Sequence, residues 1–439
     1  MSQLKRTGMS VSVAGLAALS LVACGLGGEP GDAATAGGSN VDGEVTGAIT
    51  FQTMQLSPTF DDFINGLIED FEDEYPDATV EWVDVPSAGT AQKIAADAAS
   101  GNLADVLDLD VATLAPLARD GRVLDMAEVA GEDEADFVDT AWGMFAFGDV
   151  EVAALPWYLN TPILMMNTAV LDEAGLTPED APQTYREMLA QAEVIADRTD
   201  AAAFQPTVRE LLNMMISYGV PMTNEDGTEA VVDTPEALEL VEQLRDLYEV
   251  GGIPADALTA QQRSEIETFQ EGRTAYLNTG PSRLGIVAEN APETYEVVEV
   301  GEPLRSEDAG AWLVAHGLAV PTTSANQATA LAFARFVANA ENQLALAQQS
   351  SVFPSNSGAL EDPFFAEPGD SVEERARAVA AESLRSGATY DRPHEAVDTE
   401  YEEELWSQLQ LAIMGDQEPA EALARAEEAL MAMLQGRSR

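Results

Sequence analysis

Apolar residues along this chain follow two spacings in turn, and those spacings predict its elements. Ala48-Ile49-Thr50-Phe51 is a short apolar run that predicts a buried strand. Ser57-Pro58 follows as an expected helix N-cap and first-turn proline. Phe60, Phe63, Ile64, Leu67, Ile68 and Phe71 recur at helical spacing, which gives one apolar face, and Tyr75-Pro76-Asp77 stops that helix. Residues 79–85 alternate as a strand, with Trp82 expected in the core. Residues 91–100 predict a helix ended by Gly101, and residues 104–109 the next strand. Strand, helix, strand, helix, strand is an α/β doubly wound pattern.

A second region opens near Leu159. Ile163–Asn167 predicts a strand, and residues 184–198, 208–218, 234–250 and 262–270 predict helices. Thr234-Pro235-Glu236 is a clear helix start and Gly251-Gly252 a clear stop. Residues 313–320 predict another strand. Residues 371–434 read as almost wholly helical, with Pro419 opening the last helix. No internal repeat is visible.

The composition, 46% hydrophobic and 22% charged over 439 residues, suits a globular body of two or three domains. The 77 acidic and 21 basic residues give a formal net charge of −56. Charge of that size favours a soluble monomer and repels nucleic acid, so no nucleic-acid partner is expected. Lysine occurs only at Lys5 and Lys93. Saline surroundings would screen such a surface, and a high-GC genome would deplete lysine equally.

The lone cysteine, Cys24, excludes an intramolecular disulfide and a cysteine-built metal site. Lys5 and Arg6 precede an apolar stretch too short to span a bilayer, which takes about 20 residues. That is the pattern of a secretory signal. It ends in Leu21-Val22-Ala23-Cys24, which resembles the bacterial lipobox. The resemblance implies a signal peptide over 1–23 and lipidation of Cys24. Residues 24–47 are rich in Gly, Ala, Ser and Thr and read as a flexible tether. Stable anchoring takes more than one acyl chain, which a lipidated N-terminal cysteine supplies.

Several blocks in this order resemble one family. They are Ile49 to Tyr75; Lys93 to Asp108; Leu155-Pro156-Trp157-Tyr158-Leu159-Asn160-Thr161; Ile163–Asn167; Ala174-Gly175-Leu176; Phe269 with Gly272-Arg273; and Asn278 with Gly280-Pro281. Behind a lipobox, the combination resembles the extracellular solute-binding proteins of family 1, the maltose-binding-protein-like sugar receptors of ABC importers. The resemblance implies a two-lobed, type II periplasmic-binding-protein-like α/β fold with hinge crossings between the lobes. Lobe 1 would be 48–158 plus 313–355, and lobe 2 159–312 plus 356–435. The crossings would fall just after Tyr158 and near Trp312. It further implies a sugar bound in the cleft, hinge closure, and membrane permease subunits that read the closed form. No cofactor or metal is expected.

A sugar offers flat C–H faces and hydroxyl edges, so its site needs aromatic faces and planar polar side chains. In open α/β sheets these stand in loops at the carboxyl ends of strands. The first strand offers Gln52, Met54 and Gln55, and the third offers Asp108 and Asp110. The Pro156 stretch, read as a loop, offers Trp157, Tyr158 and Asn160. The Gly280-Pro281 turn offers Arg283. Neighbours on a strand face opposite ways, so one of Trp157 and Tyr158 is expected in the cleft and the other in the core. Asp110 reads equally as ligand contact or helix cap, Asn160 as contact or hinge support, and Arg283 as contact or solvated helix residue. Trp312 divides between cleft and core. The resemblance adds Tyr390 and Arg392, in a Pro-marked loop.

No catalytic motif appears. With only His316 and His394, H-E-x-x-H zinc chemistry is excluded, and neither a phosphate-binding G-x-x-x-x-G-K-[ST] loop nor a G-x-S-x-G elbow occurs. Asn224-Glu225-Asp226-Gly227 lacks the spacing of a calcium loop and reads as a turn. A polyamine in a carboxylate-lined cleft and an exported carbohydrate-active enzyme remain as rivals. Iron is disfavoured, because there is no adjacent tyrosine pair. The blocks 53–60 and 82–86 resemble a branch associated with di- or oligosaccharides, chitobiose among them.

Overall fold

Ile49, Phe51, Val106, Leu107 and Leu109 are buried, and the strands that carry them form the centre of the larger sheet. The computed structural model describes residues 40–437, except 88, 225, 260–263, 307–309, 312, 387–395 and 398. Its strands are β1 (Gly47–Met54), β2 (Ala78–Val85), β3 (Val106–Asp110), β4 (Leu155–Asn160), β5 (Ile163–Asn167), β6 (Met222–Thr223), β7 (Ala230–Val231), β8 (Tyr276–Thr279), β9 (Val298–Gly301), β10 (Val314–Ala319) and β11 (Phe353–Pro354).

The larger sheet has the order β11-β4-β10-β3-β1-β2. β1 runs parallel to β2 and β3, with the helices Asp61–Glu74 and Thr90–Ser100 as crossovers. β10 then enters antiparallel to both β3 and β4. β3 and β4 therefore point the same way, and the carboxyl ends of β1 to β4 share one edge of the sheet. A three-stranded antiparallel sheet, β8-β5-β9, and a two-stranded hairpin, β6-β7, complete the set.

β5 is buried along its whole length, which explains its unbroken apolar sequence. Its side chains alternate between two cores with the period of a strand. Ile163 and Met165 join the cluster that also holds the larger sheet, while Leu164 and Met166 join a second cluster. The helix Val372–Arg385 packs on β9 and β5. The helices Thr399–Ile413 and Pro419–Arg437 pack on each other and on Pro235–Glu249. The expected start is present, with Thr234 preceding Pro235 at the first helical turn, and the structure adds a reciprocal capping box of Thr184 and Glu187.

Three expectations are corrected. Ser57-Pro58 does not start the first helix, which begins at Asp61 with Phe60 as its N-cap. Asp84 on β2 holds that stretch instead, accepting from the amides of Leu56 and Ser57 and from the Thr53 hydroxyl. The helix expected over 262–270 is Glu265–Gln270, started by a Ser264–Glu267 capping box. The Pro156 stretch is strand β4 rather than a loop. Pro156 has no N–H for a ladder, and the register slips beside it, His316 facing Tyr158 while Gly317 faces Pro156. Gly317 is required there: a Cβ would lie 2.7 Å from the Phe145 ring and 2.8 Å from the Ala154 methyl. Gln343 covers the far side of β4, donating to the carbonyl of Pro156 and accepting from the amides of Ser355 and Asn356.

Candidate functional site

The carboxyl ends of β1 and β4, the turn after β2 and the start of β10 surround a cavity of about 290 Å³. That lies near the lower edge of small-molecule sites, about 300–1,000 Å³. Met54, Leu56, Phe60, Leu346 and Val352 supply its apolar wall. Gln55, Ser87, Tyr158, Asn160, Ser350 and His316 supply the polar groups. No arginine, lysine or carboxylate stands among the described residues that line it.

Gln55 is brought to the rim by strain. Its φ is +57°, the left-handed region that few residues other than glycine adopt. Its amide still bonds the Val85 carbonyl, and its side-chain oxygen accepts from the Ser87 hydroxyl at 2.6 Å. The turn thus swings the Gln55 side chain out of the ladder toward the cavity.

Three strands converge on the floor. Tyr158 on β4 and His316 on β10 stack with ring centroids 4.5 Å apart and planes 15° from parallel. His316 Nδ1 is 2.9 Å from Asp108 Oδ1 on β3. Asp108 is 1% exposed, and its Oδ2 has no hydrogen-bond partner among the described residues. Burial, followed by the negative charges of Asp108, Asp110 and Asp84, pushes the Tyr158 hydroxyl well above its usual range, so it stays protonated and able to donate. Burial alone would lower His316. The charge of Asp108, its hydrogen bond and then the charge of Asp110 outweigh that and raise it.

The other residues singled out in the sequence fall in several places. Gln52 is buried on β1, where its side-chain oxygen accepts from Lys93 at 3.1 Å, and it is not part of the cavity lining. Asp110 caps the helix Val111–Arg119, accepting from the Thr113 amide at 2.8 Å and its hydroxyl at 3.0 Å. Trp157 is 1% exposed and packs on Phe51 in the core, while its neighbour Tyr158 lines the cavity. Asn160 lines the cavity, and Arg283, the first residue of the helix Arg283–Asn290, is not part of that lining. Trp82 is partly buried and donates to the Thr53 hydroxyl. Asn224 accepts from the amides of Thr228 and Glu229, as a turn residue does. Cys24, Trp312, Tyr390 and Arg392 lie outside the described residues. Sequence reasoning passed over Ser87, Ser350 and His316. A turn serine and a single histidine carry no spacing signal, and only the sheet order joins His316 to Asp108.

Among the described residues, no three His, Cys, Asp or Glu side chains are grouped to hold a metal ion, and no helix is long and apolar enough to cross a membrane.

Known proteins match this arrangement over most of the chain. The diacetylchitobiose binding protein DasA of Streptomyces coelicolor is 23% identical over 79% of this chain and 81% of its own. The sn-glycerol-3-phosphate-binding periplasmic protein UgpB of Pectobacterium atrosepticum is 24% identical over 68% of this chain and 71% of its own. Among solved structures, a Synechococcus sp. MITs9220 protein described as an oligosaccharide periplasmic-binding protein superposes with a TM-score of 0.78. It is 26% identical, over 89% of this chain and 99% of that one. The architecture is the two-lobed, type II α/β fold of periplasmic binding proteins. Residues 57–344 match the family model of the bacterial extracellular solute-binding proteins, and the chain belongs to that family.

Proposed function

We propose that this chain captures a neutral sugar outside the cell and delivers it to the permease of an ABC-type importer. The observation that carries the reading is the cavity's chemistry. An aromatic ring, apolar walls, amide and hydroxyl groups, and a histidine paired to its own aspartate suit a sugar, which has C–H faces and hydroxyl edges. The curated relatives divide between a chitin-type disaccharide and a glycerol phosphate. A phosphate calls for arginine or lysine, and neither stands among the described residues of the lining, where His316 is already paired to Asp108. A polyamine calls for exposed carboxylates, and none lines it either. A di- or oligosaccharide is therefore the reading favoured here.

The described lining belongs to the larger sheet, the loops after β1 and β2 and the segment near Leu346 to Val352, so it covers one face of a solute. Lobe 2, taken as 159–312 plus 356–435, covers the other face by rotating about crossings after Tyr158 and near Trp312, against lobe 1 of 48–158 plus 313–355. Cys24 carries the lipid that tethers the body to the membrane. Mass spectrometry of the membrane-extracted protein should find an acylated Cys24 at the mature N-terminus; an unmodified Cys24 there removes the anchor.

A thermal-shift panel of mono-, di- and oligosaccharides tests the receptor itself, because a ligand that binds only the folded state raises Tm. Diacetylchitobiose and maltose are the first probes. X-ray scattering with the best of them should give a smaller radius of gyration, and affinity should change little with salt. Shifts only with polyamines, lost as salt screens charge, would replace the sugar by a cation.

A further inference from the structure

His316 is the ionisable group on the cavity wall whose partner is itself buried. Across the antiparallel pair it faces Asp110, and Asp108 stands diagonally, two residues along β3. Across the other pair it faces Tyr158. The ring is thus held from two sides, by a hydrogen bond to Asp108 and by stacking on Tyr158. A carboxylate only accepts, so Nδ1 carries the proton that is donated to Asp108. Nε2 is then the polar atom of the ring left for a solute.

Burying a carboxylate is costly unless it is paired. Asp108 Oδ2 finds no hydrogen bond among the described residues, so compensation falls to a positive charge on His316. The groups around the ring agree. β3 contributes Asp108 and Asp110, and β4 contributes Tyr158. The helix Val111–Arg119 also packs on β10, and its one charged residue, Arg119, ends it roughly 12 Å of helix from the Asp110 end. The local field favours the imidazolium, and His316 is raised accordingly.

We propose that His316 is a protonation-dependent solute contact: with Nδ1 donated to Asp108, its Nε2–H donates to an oxygen of the sugar lying against Tyr158. The chemistry of the solute rests on the receptor reading above; the Asp108–His316 charge pair does not. Solute binding is strongest below the His316 pKa, where the ring is charged, and weakens as pH rises through it. A charge-assisted hydrogen bond of this kind is worth about tenfold in affinity.

The test uses the whole chain and two probes, diacetylchitobiose and maltose. Calorimetric titration should show about tenfold weaker binding at about pH 9 than at about pH 6, and His316→Gln should bind about tenfold more weakly at the lower pH with a flat pH profile. Melting curves on the variant confirm that it is folded. His316→Gln binding that keeps the wild-type affinity and pH slope overturns the contact. The ligand-free protein gives an independent readout. The NMR ring signal lost in His316→Gln should titrate above the ordinary histidine value of 6.5. Asp108→Asn should move it down. A ring that titrates below that value, or ignores Asp108→Asn, overturns the charge pair whether or not any sugar binds. If neither probe nor any other sugar binds, the receptor reading falls, and the contact falls with it, while the ring titration still decides the pair.

Discussion

Trp157 and Tyr158 are neighbours with opposite duties, and their difference is a matter of single side chains. Trp157 fills the core against Phe51, so Trp157→Ala should cost about 3–5 kcal/mol of stability. Tyr158 lines the cavity and stacks on His316, which lines it too. Tyr158→Ala should weaken sugar binding by more than it lowers stability. Urea melts beside calorimetric titration separate the two effects; if Tyr158→Ala binds as the wild type does, the cavity is not the sugar site. The sequence permitted this alternation without saying which residue took which side. Asp110 was equally undecided, and its bonds to Thr113 show it as a cap. His316 was invisible, because the aspartate that gives it meaning lies 208 residues earlier.

At the level of elements, local signals were legible wherever the determining groups sit within a few residues of each other. The start at Thr234-Pro235 and the stop at Gly101 are such cases. β4 was not, because what makes a proline-bearing segment a strand is supplied from elsewhere. The register slip at Gly317 accommodates the missing donor of Pro156, and the side chain of Gln343 donates to the Pro156 carbonyl. Ser57-Pro58 misled for the same reason, since the carboxylate that holds the turn is on another strand. Gly317→Ala should therefore cost about 1–3 kcal/mol, the range for forcing an extra methyl into a packed core. Phe145 and Ala154 would have to give way, and His316, next along β10, would move with them. A urea midpoint equal to wild type would show that the ring and the methyl yield freely.

Over the whole molecule, the alternation of strands and helices, the family blocks and the charge were all readable from residues alone. The sheet order was not, since it depends on pairings between distant segments. β10 is the clearest instance: it lies between β3 and β4, though both precede it in the chain by more than 150 residues. This ordering dictates when the molecule can become itself. Until β10 has been synthesised, the two halves of the larger sheet have no common strand, and β3 and β4 each present an open edge. Such edges invite mispairing, and closing so long a loop is slow. The final assembly of the cavity floor therefore waits on one late strand, which brings His316 to Asp108 and Tyr158 in the same stroke. A chain that ends before β10 has no floor joining Asp108, Tyr158 and His316.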